Sequence, residues 1–563
     1  MSRRKSVSPH DSTGANLVVQ VKNHKVMRVL PFENEAVNEC WIADRDRFSY
    51  EALNGEDRLT APMLKQGGHW QTVDWQTALE YVANGLKQIQ ADHGAGSIGL
   101  LASPHSTVKK LFLAGALVRG LGSQNVDHRL RNAQFPSPEG VRWLGTSIAS
   151  LSDLQRVLLV GSNLRKDHPL FAQRIRQAAR KGAQVSVLHA TDDDLLMPLA
   201  NKLIAAPADW TSLLGEVAVA VAQHKNIAVP AELAALQPSS TAKQIAAGLL
   251  SGEPRAIMLG NAAVQHPQAS QLHAIAQWIA ENTSASLGYL TEAANTVGGY
   301  LANAFPANGV NAKSLVEQPR KAYLLLNVEP EHDCANPQMA RAALDQADMV
   351  VVMSPFKQGL EYADVLLPTA PFSETSGTFV NAEGRAQGFN GTVKPLGDTR
   401  PGWKVLRVMG NLLSLEGFNY ESSEEIRNEV LGAKTLDGLD LSARLNNRAD
   451  LRLEPPQVAD ALRGLQRVAD VPVYFSDAIV RRADALQQTT DARTPKAILS
   501  AALAEKLGVS EGTTVRVTQG KATVMLACAI DGSLPANVVR VAAAHSATLA
   551  LGEMFGAISV EKA

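Results

Sequence analysis

The sequence predicts an α/β fold with two doubly wound parallel-sheet lobes, a small β-rich domain at the N-terminus and a small β-barrel at the C-terminus. Three observations carry this expectation. Short apolar runs alternate with helix-length amphipathic segments through most of the chain. Three of the runs end in an Asn followed five positions later by a His. The 563 residues, 45% apolar and 19% charged, exceed what one core serves, so about three or four domains are expected.

Near the start, "LVVQVKNHKVMRVL" alternates apolar and polar residues around a polar "KNH", the pattern of a β-hairpin closed by a tight turn. The basic segment before it carries no strand pattern. A polar stretch ending at Pro62 sets a boundary close to residue 60, giving a first domain over 1–60. Beyond it, "SIGLLAS" precedes a helix over 107–120, "RVLLVGS" a helix over 169–181 and "RAIMLGN" a helix over 267–279. The runs "QVSVLHA", "AYLLLNV" and "DMVVVMS" are further strands. Continuous apolar strands without alternation are buried on both faces, as in parallel sheets lying under helices. We assign 61–150 and 330–450 to a discontinuous first lobe and 151–329 to the second.

The recurring turns are "GSNLRKDHP" (Asn163, His168), "GNAAVQHP" (Asn261, His266) and "LNVEPEHD" (Asn327, His332). Pro169 and Pro267 stand where a helix would begin, and proline suits a first turn because its missing N–H has no partner there anyway. Loops leaving the carboxyl ends of parallel strands toward helix N-termini are where anionic ligands bind. No glycine-rich phosphate fingerprint accompanies these turns, so they read first as chain reversals whose histidines are exposed or cap neighbours. Residues 434–450 are polar and loop-like. The region 470–563, with a helix and then "GTTVRV", "GKATVMLAC" and "NVVRV", suggests a reduced C-terminal barrel.

Charge and cysteine usage exclude several classes. Lys plus Arg number 54 against 55 acids, so the whole chain has no field that would draw it to nucleic acid, and no such partner is expected. The longest apolar runs, such as "LLGEVAVAVA", are broken by charge and fall short of the roughly 20 residues of a membrane span. Membrane contact would therefore go through another protein. "MSRRKSV" is followed by polar residues where an export signal needs an apolar stretch. Cys40, Cys334 and Cys528 lie far apart, form no CxxC pair, and read as scattered packed thiols of a reducing compartment.

Residues 361–387, "EYADVLLPTAPFSETSGTFVNAEGRAQ", run from a short strand through a proline into a stretch dense in Gly, Thr, Asn and Glu. Gly377 and Gly384 permit unusual backbone shapes, and Glu374, Glu383 and Arg385 are positioned for a polar network. This stretch resembles the hallmark of the molybdopterin oxidoreductase superfamily, in which "ADVVLP", an acid, "GT" and "N-EGR-Q" recur in order. "GSNLRKDHPLFAQRIRQAARKGAQVSVL" is similar to that superfamily's strand-turn-helix-strand, and the resemblance extends over residues 6 to about 400. Within it, "DRDRFSYEALNGEDRLTAPML" resembles the NADH-quinone oxidoreductase (respiratory complex I) family, in its peripheral-arm component whose C-terminal region is molybdopterin-oxidoreductase-like.

The resemblance implies a cofactor pocket at Gly161, Ser162, Asn163, Gly377, Thr378, Asn381, Glu383, Gly384 and Arg385, expected here to be vestigial. It also implies a 4Fe-4S loop whose four cysteines fall on Ser8, Asp11, Ala15 and Ala43, none a thiolate. Cys40 is expected to be packed rather than a relocated ligand. A molybdenum ligand would fall within 126–140, where Ser137 and Asp127 are the candidates and a turn role is expected for the serine. The expectation is therefore no catalytic residue, no metal and no cofactor in this chain. Molybdopterin is expected to be absent, and iron–sulfur clusters are expected only in a ferredoxin-like part that precedes this region in the complex I family, making the chain a fragment.

The implied role is a non-catalytic structural domain of a bacterial NADH:quinone oxidoreductase. Its partners would be the other peripheral-arm subunits, in the cytoplasm at the inner face of the plasma membrane. An active molybdopterin enzyme of the formate dehydrogenase or nitrate reductase kind is the competing expectation. A module that binds a nucleotide in the inherited pocket, lined by the three Asn-x4-His turns, is the third.

Overall fold

The computed structural model describes residues 1–136 and 139–563, which form two units. The first comprises Met1–Leu130, Glu292–Arg444 and Tyr474–Arg493. It begins with a three-stranded antiparallel sheet of Ser2–Val7, Asn16–Lys22 and Lys25–Pro31. The expected hairpin is present, and Asn23 and His24 at its turn both take positive φ, the backbone a two-residue turn of matching twist requires. The basic N-terminal segment read as lacking a strand is one: Ser2–Val7 pairs with Asn16 to Val21. Its register is fixed by the neighbouring strand rather than by any alternation of its own.

The main sheet of this unit has seven strands in the order His69–Thr72, Met63–Gln66, Val365–Pro368, Met349–Ser354, Ala322–Leu326, Ile98–Ala102 and Val126–Asp127. The last five run parallel, and the first two form an antiparallel edge hairpin. Ala322–Leu326, Met349–Ser354 and Ile98–Ala102 are buried along their whole length, as continuous apolar runs demand. Helix Trp75–His93 is capped at its start by Asp74, whose carboxylate accepts from Thr77 N at 2.8 Å.

The second unit comprises Arg131–Thr291, Leu445–Val473 and Thr494–Ala563. Its parallel sheet runs Asn201–Ile204, Gln184–His189, Arg156–Val160, Arg255–Leu259, Ser286–Tyr289. Helix Pro169–Arg180 starts at the expected proline. The helix expected from Pro267 starts instead at Ala269, after a short helix Asn261–Gln265. The C-terminal region is a seven-stranded half-barrel sheet in the order Phe555–Ala557, Gln466–Val468, Val538–Arg540, Ala497–Ser500, Ala522–Asp531, Thr514–Gln519, Ser559–Lys562. Trp210 stacks on His266 and meets the edge of Phe555, so one core serves both sheets of this unit. No helix among the described residues is long and apolar enough to cross a membrane.

Candidate functional site

The loop between strands Ser2–Val7 and Asn16–Lys22 closes on itself, Ser8 N donating to Ala15 O at 2.9 Å. The four positions implied as cluster ligands, Ser8, Asp11, Ala15 and Ala43, are all buried. Charged packing occupies their surroundings. His10 places Nδ1 2.8 Å from Asp477 and Nε2 2.7 Å from the Ser49 hydroxyl. Asp11 accepts from Thr13 N at 3.0 Å and lies 3.6 Å from the Arg45 guanidinium. Burial alone would lower the His10 imidazole, but the Asp477 carboxylate overrides it and raises His10 above its ordinary value. Burial likewise opposes ionisation of Asp477, yet His10 holds it well below the usual carboxylate range. Asp46 goes the other way: burial, and then the Asp11 carboxylate, push it up to about 7.

The hallmark hairpin, Gly377–Val380 paired with Ala386–Phe389, is the seat of this loop. Asn381 donates from Nδ2 to Thr13 O at 3.0 Å and accepts at Oδ1 from Arg385 N at 2.9 Å, while Ala382 N donates to Ser12 O at 2.7 Å. Gly384 turns the chain with φ +86°. Gly14 faces the hairpin so closely that a Cβ there would stand 2.9 Å from Asn381 Cβ and 2.3 Å from Gln387 Oε1. A Cβ on Gly377 would strike Phe389 and Thr107, and Thr378 beside it is buried. Glu383 pairs with Arg385 at 2.6 Å. Glu374 does not join that network as expected, because the buried Arg58 lies 2.7 Å from it. Motif residues Asn381, Glu383, Gly384 and Arg385 thus act through backbone hydrogen bonds and a local ion pair.

A cleft of the first unit opens between Pro9 and the carboxyl ends of the parallel strands, with an empty volume near 590 Å³ counted to its open mouth. Ser103, Asn327 and Pro355, each just past a strand, line it with Phe372 and Lys110. The Lys110 ammonium is buried with the Ala370 carbonyl as partner at 3.2 Å, and burial lowers it to about 8. His105 reaches Pro9 O at 3.0 Å, and burial drives its imidazole below the ordinary value.

In the second unit, Gly161, Ser162 and Asn163 follow strand Arg156–Val160 as expected. Gly161 has φ +61°, and a Cβ there would meet Ala263 N at 2.4 Å. Asn163 donates to Asp193, which also pairs with Arg540 at 2.8 Å. The Ser162 and Thr291 hydroxyls are buried without hydrogen-bond partners among the described residues. The recurrent histidines serve packing: His168 reaches Thr291 O at 2.9 Å, and His266 reaches Pro207 O at 2.9 Å with its ring against Trp210. Asn327, from the third turn, does line the first unit's cleft.

Of the molybdenum-ligand candidates, Ser137 lies outside the described residues. Asp127 is committed: its oxygens accept from Arg129 and from Ala312 N, and Arg129 holds its carboxyl down despite burial. Cys40, expected to be packed, is exposed, while Cys334 and Cys528 are buried. Among the described residues no group of three or more His, Cys, Asp and Glu could hold a metal ion.

Comparison with known proteins extends this picture. The family model "Molybdopterin oxidoreductase" matches residues 58–411, and "NADH-ubiquinone oxidoreductase NDSU1/NuoG-like, 4Fe-4S domain" matches residues 1–51. Curated relatives include a putative formate dehydrogenase of Staphylococcus aureus strain MRSA252, 24% identical over 76% of this chain and 51% of its own length. One from Staphylococcus haemolyticus is 24% identical over 77% and 51%. The chain spans about half the length of these relatives. Acetylene hydratase from Pelobacter acetylenicus shares the fold, with a TM-score of 0.71 over 100% of both chains at 14% identity.

These matches overturn the expectation of a chain without cofactors: they point to molybdopterin and an iron–sulfur group within residues 1–411. Molybdopterin finds fitting side chains. In the first unit, Ser103 and Asn327 at strand carboxyl ends, with Lys110 of helix Val108–Gly120, line the cleft where they would hold it. When bound, such a group supplies the redox centre. The cluster does not find its usual donors, because Ser8, Asp11, Ala15 and Ala43 provide no thiolate where four are the norm.

Proposed function

The chain belongs to the molybdopterin oxidoreductase family, and from that premise we propose that it serves as a subunit of a bacterial NADH:quinone oxidoreductase. Its partners in that role are the other subunits of the peripheral arm, on the cytoplasmic side of the membrane. The observation that carries this reading is the NuoG-like domain of residues 1–51, seated through Ser12, Thr13 and Gly14 on the hairpin of the family hallmark. A buried His10–Asp477 pair and the Asp11–Arg45 pair stabilise that seat. In that role the loop of residues 8–15 and its buried ion pairs hold the first domain on the hairpin.

A second reading, a molybdopterin-dependent oxidoreductase of the formate dehydrogenase kind, is favoured by the staphylococcal relatives. The unpartnered Ser162 and Thr291 hydroxyls support it as well. One preparation separates the two. The native protein is immunopurified from membranes and assayed for NADH:quinone and formate oxidation, with metal analysis alongside. NADH:quinone activity that follows the chain supports the first reading. Formate oxidation with stoichiometric molybdenum and no NADH:quinone activity overturns it in favour of the second.

A further inference from the structure

Sheet order places Ile98–Ala102 beside Ala322–Leu326, and the chain leaves them in opposite directions, to Val126–Asp127 on one side and Met349–Ser354 on the other. Ligands of such sheets bind outside the carboxyl ends of the two strands where the order reverses. The first unit's cleft lies there, with Ser103 after one strand and Asn327 after the other. From Ser103 the chain turns into helix Val108–Gly120, and both Thr107 at its N-cap and Lys110 in its first turn line the same cleft.

That helix end is left open. The Thr107 side chain makes no cap, and among the described residues the amides of Val108, Lys109 and Lys110 meet no acceptor. Thr107 is only 6% exposed; its methyl faces Gly377, where a Cβ would stand 2.7 Å from Cγ2. Its hydroxyl has no hydrogen-bond partner among the described residues. Lys110, equally buried, makes one of an ammonium's three hydrogen bonds, to the Ala370 carbonyl at 3.2 Å. Among the described residues no carboxylate lies within ion-pair distance of it, and burial lowers it to about 8 with no acid working the other way. Lys109 beside it differs. The Ser423 hydroxyl lies 2.9 Å away, and Glu424 works against the lowering that burial causes. Asp477, the acid that lines the cleft, is committed to His10 at 2.8 Å and to the amides of Ile479 and Val480. An ammonium and an uncapped helix end therefore share one cleft, with no counter-charge supplied by the described residues.

We propose that the open end of helix Val108–Gly120 is a phosphate seat, and that the cleft takes a phosphate monoester of a flat, ring-bearing ligand. The phosphate oxygens would accept from the first-turn amides, the Thr107 hydroxyl and the Lys110 ammonium. The ring would lie against Phe372, Phe379, Pro355, Pro371 and Ile479, which give the cleft its apolar wall. A carboxylate suits the seat less, because its two coplanar oxygens are matched by the fork of an arginine and the cation here is a point charge. The phosphate of a pterin cofactor and that of a diffusible ester share this chemistry. The seat stands under either reading of the chain, since it concerns what the cleft binds and not which electrons pass.

The full chain, freed of any pterin, is titrated calorimetrically with 1-naphthyl phosphate, and with 1-naphthol and inorganic phosphate for comparison. One saturable site is expected for the ester, with 1-naphthol at least about tenfold weaker and hydrogen exchange slowed at residues 107–111. Lys110→Met is expected to weaken the ester at least about tenfold and 1-naphthol less than about twofold, with an unchanged circular dichroism spectrum. Thr107→Val, which keeps the shape and removes the hydroxyl, should weaken the ester about threefold. Lys506→Met, an equal charge change on an exposed residue of the other unit, should leave it within about twofold. Acid oxidation of freshly purified chain, read by pterin fluorescence, identifies the source. A phosphorylated pterin carried by the wild type and lost from Lys110→Met supports the seat with the cofactor as its ligand. No pterin in either, with the ester bound, supports it with a diffusible ligand. No saturable site, 1-naphthol or inorganic phosphate binding as tightly as the ester, or Lys110→Met binding the ester as the wild type does overturns the proposal.

Discussion

Asp46 shows what the N-terminal loop requires of single side chains. It is 2% exposed, neither carboxylate oxygen has a donor in full hydrogen-bonding geometry among the described residues, and burial, then Asp11, push it up to about 7 against the smaller pull of the Ser8 hydroxyl. Its folded value lies above the ordinary 3.8, so the folded state holds a proton that the unfolded chain releases. The resulting stabilisation is complete below about pH 4 and is lost as pH rises through about 7. Asp46→Asn, always neutral, is therefore expected to raise stability at pH 8 by on the order of 3 kcal/mol and to change little at pH 4. Urea midpoints at the two pH values check this, and an equal effect at both would remove the electrostatic account. The neighbouring pair has opposite signs. Asp477, depressed by His10, loses its contribution as pH falls below the ordinary carboxylate range, whereas His10, raised by Asp477, loses its own as pH rises above its elevated value. The loop is thus least strained in mild acid.

Among the elements, the hallmark hairpin fixes the loop above it through backbone groups, which tolerate little intrusion. Gly14 has φ +69° and faces Asn381 and Gln387 at distances no Cβ accepts, so Gly14→Ala meets both backbone strain and steric overlap. A cost of about 2–4 kcal/mol is expected, with proteolytic cleavage appearing near residues 8–15 before elsewhere. Unchanged thermal stability would show that the hairpin yields instead. Elements are legible in the sequence where the physics is local. The apolar runs "SIGLLAS", "RVLLVGS" and "DMVVVMS" are strands because continuous apolarity over five residues has few other uses, and Asn23–His24 turn because polar residues tolerate positive φ. Ser2–Val7 is illegible because exposed charges carry no alternation, its pairing being dictated by Asn16 to Val21. Site chemistry is less legible still. The spacing of "N-EGR-Q" locates a special turn but not its occupant, and only the folded chain reveals that Asn381 serves the loop of Ser12–Gly14. Nothing in the sequence announces Arg58 as the partner of Glu374 or Asp477 as that of His10, since hundreds of residues separate each pair.

For the molecule as a whole, stability is organised unit by unit, and the second unit offers the sharpest test because two sheets share one core. Trp210 is fully buried, its ring stacked 5.3 Å from His266 and edge-on 6.2 Å from Phe555. The same core holds Leu158 and Val160 of the parallel sheet and Val468 and Val538 of the half-barrel. Removing the indole takes away contacts on both sides at once, and the Ala205 carbonyl loses its indole N–H partner at 3.0 Å. Trp210→Ala is therefore expected to cost about 3–5 kcal/mol. Hydrogen exchange should quicken together at residues 156–160, 466–468 and 555–557, because these strands lean on one void. Val515 and Val517 belong to a separate cluster with Leu526 and Cys528, so their amides should quicken less. Faster exchange confined to the parallel sheet would mean that the half-barrel carries its own stability, and that Phe555 meets Trp210 without depending on it.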